Sequence, residues 1–337
     1  MSDDWKRRID RMRDALEREG DPVAWVRETD AARASALYPG VAVRGAVFGV
    51  AVERERGWEV VVEMRGATPQ EARDGLHSIL WFRAKDDTDD PAVRRDLLAA
   101  VAIMERESVD EVRVRGERYR VVRGDEFARC GDDGLEPPRA TDPEPVDPGW
   151  EEKHTAASPD EGFVLDPVRE EGLMDEVLKL GMREFVYSGE RFPAAVRDDS
   201  LRAVASHADI ALLPVVFGIA ERRGEGWRPR GGLMPTPHDA RRLLYDGMTS
   251  TWPLLYEFDD EKRERYRLAG ERFRAAGRAD EARVDDRIFR ICRISRLVRF
   301  GPDGPEPPRP SDVDDYGPMK MHPTMDEDGT VHYATEG

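Results

Sequence analysis

The stretch Gly131–Arg139, with the sequence GDDGLEPPR, returns in nearly the same form as Gly301–Arg309, with the sequence GPDGPEPPR. Gly131 thus corresponds to Gly301, and Gly134 to Gly304. Glycine and proline punctuate structure, so their recurrence at matched positions places the same kind of turn at the end of two segments. The sequence therefore indicates an internal duplication.

Further matches extend in the same order toward the N-terminus, with almost the same offset in numbering. They pair Tyr119–Arg123 with Phe289–Arg293, Thr68-Pro69 with Thr236-Pro237, Gly57-Trp58 with Gly226-Trp227, and Val47–Val50 with Val216–Ile219. A colinear series of this kind predicts two copies of one module. We expect Trp58 and Trp227 to be core aromatics, with exposed recognition aromatics as the alternative.

Each copy has the pattern of an α+β module. Trp58, Val60, Val62 and Met64 alternate with charged residues as a half-buried strand, and residues 41–52 supply its hairpin partner. Thr68 before Pro69 is a helix N-cap, and Thr236 repeats it. A second helix and two closing strands follow. The fold class is thus predicted as α+β, a tandem duplication of a ββααββ module.

Helices are expected before each module, one carrying Trp5, Ile9, Met12 and Leu16 and the other spanning Leu173 to Phe185. The predicted domains are a first module over residues 1–139, an acidic proline-rich linker over 140–165, a second module over 166–310 and an acidic flexible tail over 311–337. Linker and tail each carry a charge of −6 of the total −17, which leaves the modules nearly neutral.

Composition limits the class of protein. Two cysteines, Cys130 and Cys292, form neither a CxxC pair nor a disulfide framework, which favours a reducing, cytoplasmic location. The sequence has no long apolar run, so no membrane span is expected.

The closing segment Gly301–Asp312, together with the surroundings of Phe217-Gly218 and Gly226-Trp227, resembles a signature of an uncharacterised family of high-GC actinobacterial proteins. That family is classed as a domain of unknown function. The resemblance implies an actinobacterial, cytoplasmic protein and no particular activity.

No motif for a cofactor or metal is complete. Thr324 to Thr335 follows a calcium loop only in part, because Thr335 stands where a bidentate Glu is needed. The glycines at Gly231-Gly232 lack the Gly-Lys that follows in a phosphate loop. His77 and His238 are expected on the exposed sides of capped helices. No cofactor and no metal site is therefore predicted.

Charge is patterned only in the closing strands, where arginines interleave with apolar residues. The candidate binding residues are Arg120, Arg123, Arg290, Arg293, Arg296 and Arg299. They fit an ordinary solvated strand face, a track for a phosphate backbone, or receivers of acidic segments of this chain or a neighbouring copy. If they hold the tail, deletion of residues 313–337 is expected to expose basic surface.

These observations favour a non-enzymatic cytoplasmic interaction or regulatory protein, in which a pseudo-symmetric pair of modules presents a surface to an unknown protein partner or to a second copy. One alternative is a nucleic-acid-associated factor that uses the arginine strands. The other is an enzyme with its site in the groove between the modules.

Overall fold

Two long strands, Glu117–Gly131 and Arg287–Gly301, lie side by side at the centre of one antiparallel sheet in the computed structural model. The structure describes residues 21–145, 149–150, 156–169, 172–224 and 226–333. The helix predicted around Trp5 to Leu16 lies outside the described residues, as do the linker segments 146–148 and 151–155. The fold class is α+β, as predicted.

The strands are β1 (Gly40–Arg54), β2 (Gly57–Gly66), β3 (Glu111–Val114), β4 (Glu117–Gly131), β5 (Gly134–Leu135), β6 (Val164–Leu165), β7 (Asp209–Leu212), β8 (Val216–Arg223), β9 (Gly226–Met234), β10 (Glu281–Val284), β11 (Arg287–Gly301), β12 (Gly304–Pro305), β13 (Thr324–Met325) and β14 (Val331–His332). The main sheet has the order β6-β2-β1-β4-β11-β8-β9. Short strands β3 and β5 pair with β4, and β7, β10 and β12 pair with β11.

The helices are α1 (Pro22–Leu37), α2 (Pro69–Asp86), α3 (Pro91–Met104), α4 (Leu173–Met182), α5 (Ala194–Ser206), α6 (Pro237–Asp246), α7 (Trp252–Leu255) and α8 (Asp260–Ala275), with a π-helical turn at Gly247–Thr251. Within the described part of the chain, none of these helices combines the length and the apolar content that crossing a bilayer requires.

Both predicted N-caps are confirmed. The Thr68 hydroxyl accepts a hydrogen bond from the amide of Glu71 at 3.3 Å, and Thr236 accepts one from Asp239 at 3.1 Å. The carboxylate of Glu71 reaches back to the amide of Ala67 at 2.7 Å, which completes a capping box. Proline follows each threonine because the first helical turn leaves its amide unpaired in any case.

The matched sequence segments lie in corresponding elements. The hairpin β1–β2 corresponds to β8–β9, α2 to α6, α3 to α8, and β3–β4–β5 to β10–β11–β12. The backbone conformation of the turns also corresponds, because Arg115 and its counterpart Asp285 both have a left-handed backbone, with φ of 50° and 53°. Duplication remains the interpretation that accounts for this correspondence.

The centre of the sheet joins the two halves. Glu126 of β4 pairs with Arg296 of β11, and this pair is flanked by Phe127 opposite Ser295 and Asp125 opposite Leu297. Because successive side chains alternate, every strand here has a helix face, covered by α2 and α3 or by α6 and α8, and an opposite face, which we call the groove face.

Described parts of the linker and of the tail pack against the two halves. Trp150 of the linker packs in the core of the second half, and Met325 of the tail lies in the core of the first half. The indole N–H of Trp81 donates to the carbonyl of Pro323 at 3.1 Å. The linker thus covers helices of the second half, and the tail covers helices of the first half. Trp150 and Met325 are among few apolar residues in these acidic segments, so the sequence pattern did not indicate that the segments pack.

This packing also corrects the expected exposure of two histidines. His77 is buried beneath His322 of the tail, with the rings stacked at 5.5 Å between centroids. His238 is buried against Trp150 of the linker. Trp58 is a core residue as expected, whereas Trp227 is only half-buried and lines an open groove.

Candidate functional site

The six arginines predicted as a binding surface are engaged inside the molecule. The side chains of Arg120, Arg123, Arg296 and Arg299 are buried, and those of Arg290 and Arg293 are half-buried. They divide between the two faces of the sheet because they occupy alternating positions of β4 and β11. Their partners are backbone carbonyls and carboxylates of this same chain.

Arg120 and Arg290 brace the two halves reciprocally on the groove face. Arg120 donates to the carbonyls of Asp303 and Pro305 at 2.8 and 3.2 Å. Arg290 donates to the carbonyls of Asp133 and Leu135 at 2.7 and 2.9 Å. Each arginine therefore binds the closing turn of the opposite half.

Arg123 and Arg293 repeat the reciprocal pattern on the helix face. The Nε of Arg123 donates to Asp312 at 3.0 Å, and that of Arg293 donates to Asp142 at 3.0 Å. Arg123 also binds Asp125 at 2.9 Å. Burial works against the ionisation of Asp125, but the guanidinium groups of Arg123 and Arg309 and the hydroxyl of Tyr187 together hold the pKa of that carboxyl below its ordinary value.

Arg296 and Arg299 bind groups of the second half and the linker. Arg296 forms a two-point ion pair with Asp160. Arg299 donates to the carbonyls of Met182, Arg183 and Phe185 at the end of α4, where the negative end of the helix dipole attracts a cation. Little of the six guanidinium groups is left to meet an outside molecule.

A wide opening lies instead on the groove face of the second half and has a volume of about 1020 Å³. Its floor is made of small side chains on neighbouring strands: Ala42, Ala128, Gly218, Ala220 and Cys292. Trp227 and the turn 131–135 form its walls, and charged residues surround the rim. A groove of this size accommodates a drug-sized molecule or a short peptide segment.

The corresponding place in the first half is filled by the chain itself. Phe163 and Leu165 of the linker lie over Trp58, Val60 and the groove face of β4, in a cluster with Val298 and Phe300. At the positions that correspond to Val298 and Phe300, the second groove has Ala128 and Cys130. The second groove is open because its floor carries smaller residues and no linker segment that the structure describes crosses it.

Main-chain pairing also differs between the two places. The amide of Val60 donates to the carbonyl of Phe163 at 2.9 Å, which adds β6 to the edge of β2. Pro229 stands at the matched position of β9, opposite Ala220, and has no amide hydrogen. A segment added to β9 at this position would therefore lack the main-chain hydrogen bond that Val60 donates in the first half.

The lining combines Trp227 and aliphatic side chains with charged residues at the rim. No histidine lines the groove, and among the described residues no group of His, Cys, Asp and Glu is arranged to hold a metal ion. Burial raises the pKa of the Cys292 thiol to about 12, so this cysteine is a poor nucleophile at neutral pH. The sequence suggested a groove between the modules only as the place of an enzyme site and did not identify these lining residues, although small residues at Ala128 and Cys130, opposite Val298 and Phe300, are visible when the two segments are aligned.

Comparison with known proteins adds a family. A family model described as "Family of unknown function (DUF5954)" matches residues 21–315, which is most of the chain. No curated protein and no solved structure matches the chain.

Proposed function

We propose that this chain, which belongs to the DUF5954 family, is a non-enzymatic interaction or regulatory protein that receives a segment of a partner protein in the groove of its second half. The observation that carries the proposal is the filled counterpart in the first half. There, an extended segment with two apolar side chains occupies the same surface, which is made from the same elements.

The contrast between the copies gives the proposal its physical basis. The first groove buries Phe163 and Leu165, and apolar burial is the main favourable term in association as in folding. The second groove offers Trp227, Ile294 and Leu233 beside a floor of small residues. An incoming segment with comparable side chains would remove that surface from water.

Two observations weigh against the alternatives. The six arginines are occupied by Asp142, Asp160, Asp312 and backbone carbonyls, which leaves the strands little basic surface for a phosphate backbone. The groove residues also lack the convergent carboxylate and histidine cluster that a catalytic site between the modules would need. Both points favour binding over nucleic-acid recognition or catalysis.

A cytoplasmic setting is part of the proposal. Cys130 and Cys292 are both free thiols, which agrees with a reducing compartment. The arginine-rich composition supports an actinobacterial origin, since GC-rich genomes favour arginine codons.

A second copy of the chain is the alternative occupant of the groove. Analytical ultracentrifugation at a series of protein concentrations distinguishes self-association from the binding of a different protein.

The proposal is tested with a variant in which the second groove is filled by the larger residues found at the corresponding positions of the first half. Ala128→Val with Cys130→Phe places the counterparts of Val298 and Phe300 on the floor. Partners captured from nuclease-treated lysate by the wild-type chain should be lost with this variant. The control, Ala99→Val with Ala275→Phe, adds similar bulk to exposed helix positions and should retain them. Retention of every partner by the filled variant would refute the proposal.

A further inference from the structure

Arg118 of the first half has no arginine counterpart in the second. It lies over the ring of Trp58, 5.3 Å from its centroid. Its guanidinium donates to Glu111 and Asp303, each at 2.8 Å, and reaches Glu53 at 3.4 Å. The side chain is about 11% exposed, so the group is held in a nearly closed notch of one aromatic ring and three carboxylates.

The second half keeps most of this notch but not the arginine. Trp227 corresponds to Trp58, Glu281 to Glu111 and Asp133 to Asp303, whereas Ile288 stands in place of Arg118. The neighbouring arginine has the same position in both halves. Arg290 lies 4.9 Å from the centre of the Trp227 ring, and Arg120 lies 5.0 Å from the centre of the Trp58 ring. The place of a second guanidinium is therefore vacant.

The groups around the vacant place retain capacity to bind. The carboxylate of Asp133 is exposed and, among the described residues, makes neither a hydrogen bond nor an ion pair, since Arg290 uses only its backbone carbonyl. Glu281 gives one oxygen to Arg290, and its other oxygen meets the exposed Arg283 at 3.2 Å. Trp227 and Ile288 complete an apolar wall.

We infer that the notch formed by Trp227, Asp133 and Glu281 binds the guanidinium of an arginine side chain presented by a partner protein. This inference rests on the proposed function, because all three residues line the same groove and the arginine would belong to the segment that lies along its floor. A planar guanidinium stacks on indole and meets carboxylates with two parallel donors, which an ammonium does not do.

Arg222 opposes the entry of a cation here. It replaces Glu53 of the first half and lies at the rim of the groove. Its side chain is exposed, so water and salt screen its charge, whereas an entering guanidinium contacts its carboxylates directly. Removal of this positive charge should raise the affinity, so Arg222→Glu should bind a guanidinium more tightly than the wild type.

The probe is N-acetyl-L-argininamide, and the readout is the set of seven indole N–H signals in a two-dimensional NMR spectrum of the full chain, with Trp227 assigned through Trp227→Phe. The arginine probe should shift the Trp227 signal in the millimolar range. The uncharged analogue N-acetyl-L-citrullinamide should not, and N-acetyl-L-lysinamide should bind roughly tenfold more weakly. Equal shifts from arginine and citrulline probes would overturn the inference.

Three variants locate the site. Asp133→Asn changes an exposed side chain, keeps the fold and should abolish the shift. Ile288→Arg with Arg222→Glu rebuilds the first-half arrangement, so its own guanidinium should fill the notch and exclude the probe. Arg118→Ile opens the corresponding notch in the first half and should give a new shift at Trp58. Unchanged binding in Asp133→Asn would contradict the assignment.

Free L-arginine distinguishes the source of the group. An arginine side chain within a partner predicts that blocked and free arginine bind alike. Tighter binding of the free amino acid, by roughly tenfold or more, would point to a small-molecule ligand whose carboxylate meets Arg222 and would overturn the partner assignment. If none of these probes binds, the inference about the arginine side chain is wrong. The proposed function is still tested separately, by the loss of partners in the variant Ala128→Val with Cys130→Phe.

Discussion

Arg296 and Asp160 form a two-point ion pair, with Nη1–Oδ2 and Nη2–Oδ1 distances of 2.5 and 2.6 Å, and each side chain is only about 2% exposed. The pair joins β11 to the linker beside the groove face of the first half. Asp160 also accepts the amide of Met64 at 3.1 Å. Removal of the carboxylate leaves a buried guanidinium without its counter-ion.

Asp160→Asn should therefore lower the free energy of unfolding by about 3 kcal/mol, the usual scale for breaking one side of a buried ion pair. Denaturant titration followed by tryptophan fluorescence measures it. The control is Glu261→Gln, which removes the exposed partner of Arg265 on α8 and should leave the curve unchanged. Equal curves for Asp160→Asn and the wild type would contradict the assigned role.

The glycine of each closing turn lies against the tryptophan of the other half. A Cβ on Gly134 would stand 2.8 Å from the ring of Trp227, and one on Gly304 would stand 2.5 Å from Trp58. Both glycines have positive φ, 104° and 106°. Each change to alanine should cost about 1–3 kcal/mol, through strain and contact together.

Thermal melts of Gly134→Ala and Gly304→Ala test this expectation. Gly181→Ala in α4 is the control, because open space surrounds that position and alanine is the better helix former. The control should melt at or above the wild-type temperature. A melt of Gly304→Ala that coincides with the control would mean that the turn does not rest on Trp58.

The two N-caps give a smaller and purely local effect. Thr68→Ala and Thr236→Ala each remove the oxygen that caps α2 or α6, which should cost about 1 kcal/mol. Serine at either position keeps the oxygen and should recover most of the loss. Calorimetric melting of the four variants measures the loss with alanine and the recovery with serine. An alanine variant as stable as the serine variant at the same position would contradict the capping role.

Acid should destabilise the contact between α2 and the tail. Burial lowers the pKa of His77 below its ordinary 6.5, against the opposing carboxylate of Glu105, and the stacked His322 lowers it further. Burial lowers the pKa of His322 as well. The unfolded chain thus binds more protons near pH 6.5, so stability falls as the pH drops through that value toward the folded-state pKa.

His77→Gln removes one of these groups. Its free energy of unfolding should fall less than that of the wild type between about pH 7.5 and about pH 5.5. Urea titrations at the two pH values give the comparison, and His332→Gln, on an exposed strand of the tail, is the control. An equal fall in wild type and His77→Gln would exclude His77 as the source.

Deletion of residues 313–337 should destabilise the chain without exposing the arginine strands. The deletion removes Asp314, which accepts from Gln70 and Arg73, and Met325, which lies in the first core. By contrast, Arg290, Arg293 and Arg296 bind the turn and the linker. We expect a lower melting temperature and no gain in DNA binding at low salt. A steep gain would restore the expectation drawn from the sequence.

Local signals were sufficient to predict much of the fold. The caps at Thr68 and Thr236 are visible because a threonine, a proline and an acid act within one turn of helix. The strand at Trp58 is visible because its apolar residues alternate. Both depend on neighbours in the chain, where periodicity and propensity act directly.

The remaining features depend on contacts between distant segments. His77 is buried only because the tail returns to α2, and Arg123 is neutralised by the carboxylate of Asp312, far along the chain. The groove exists because Ala128 and Cys130 are small and no segment within the described ranges covers them. Composition records the charge of the linker and the tail but not where they bind, so the sequence shows that Ala128 and Cys130 are small but not that the surface over them stays open.

The reciprocal packing of the closing segments sets an order for assembly on the ribosome. The second half receives its covering residues, Asp142 and Trp150, from chain that is synthesised before it. The first half must wait for Asp303, Asp312 and Met325, which are synthesised only after most of the second half. Of the two halves, the one translated first is therefore the one completed second.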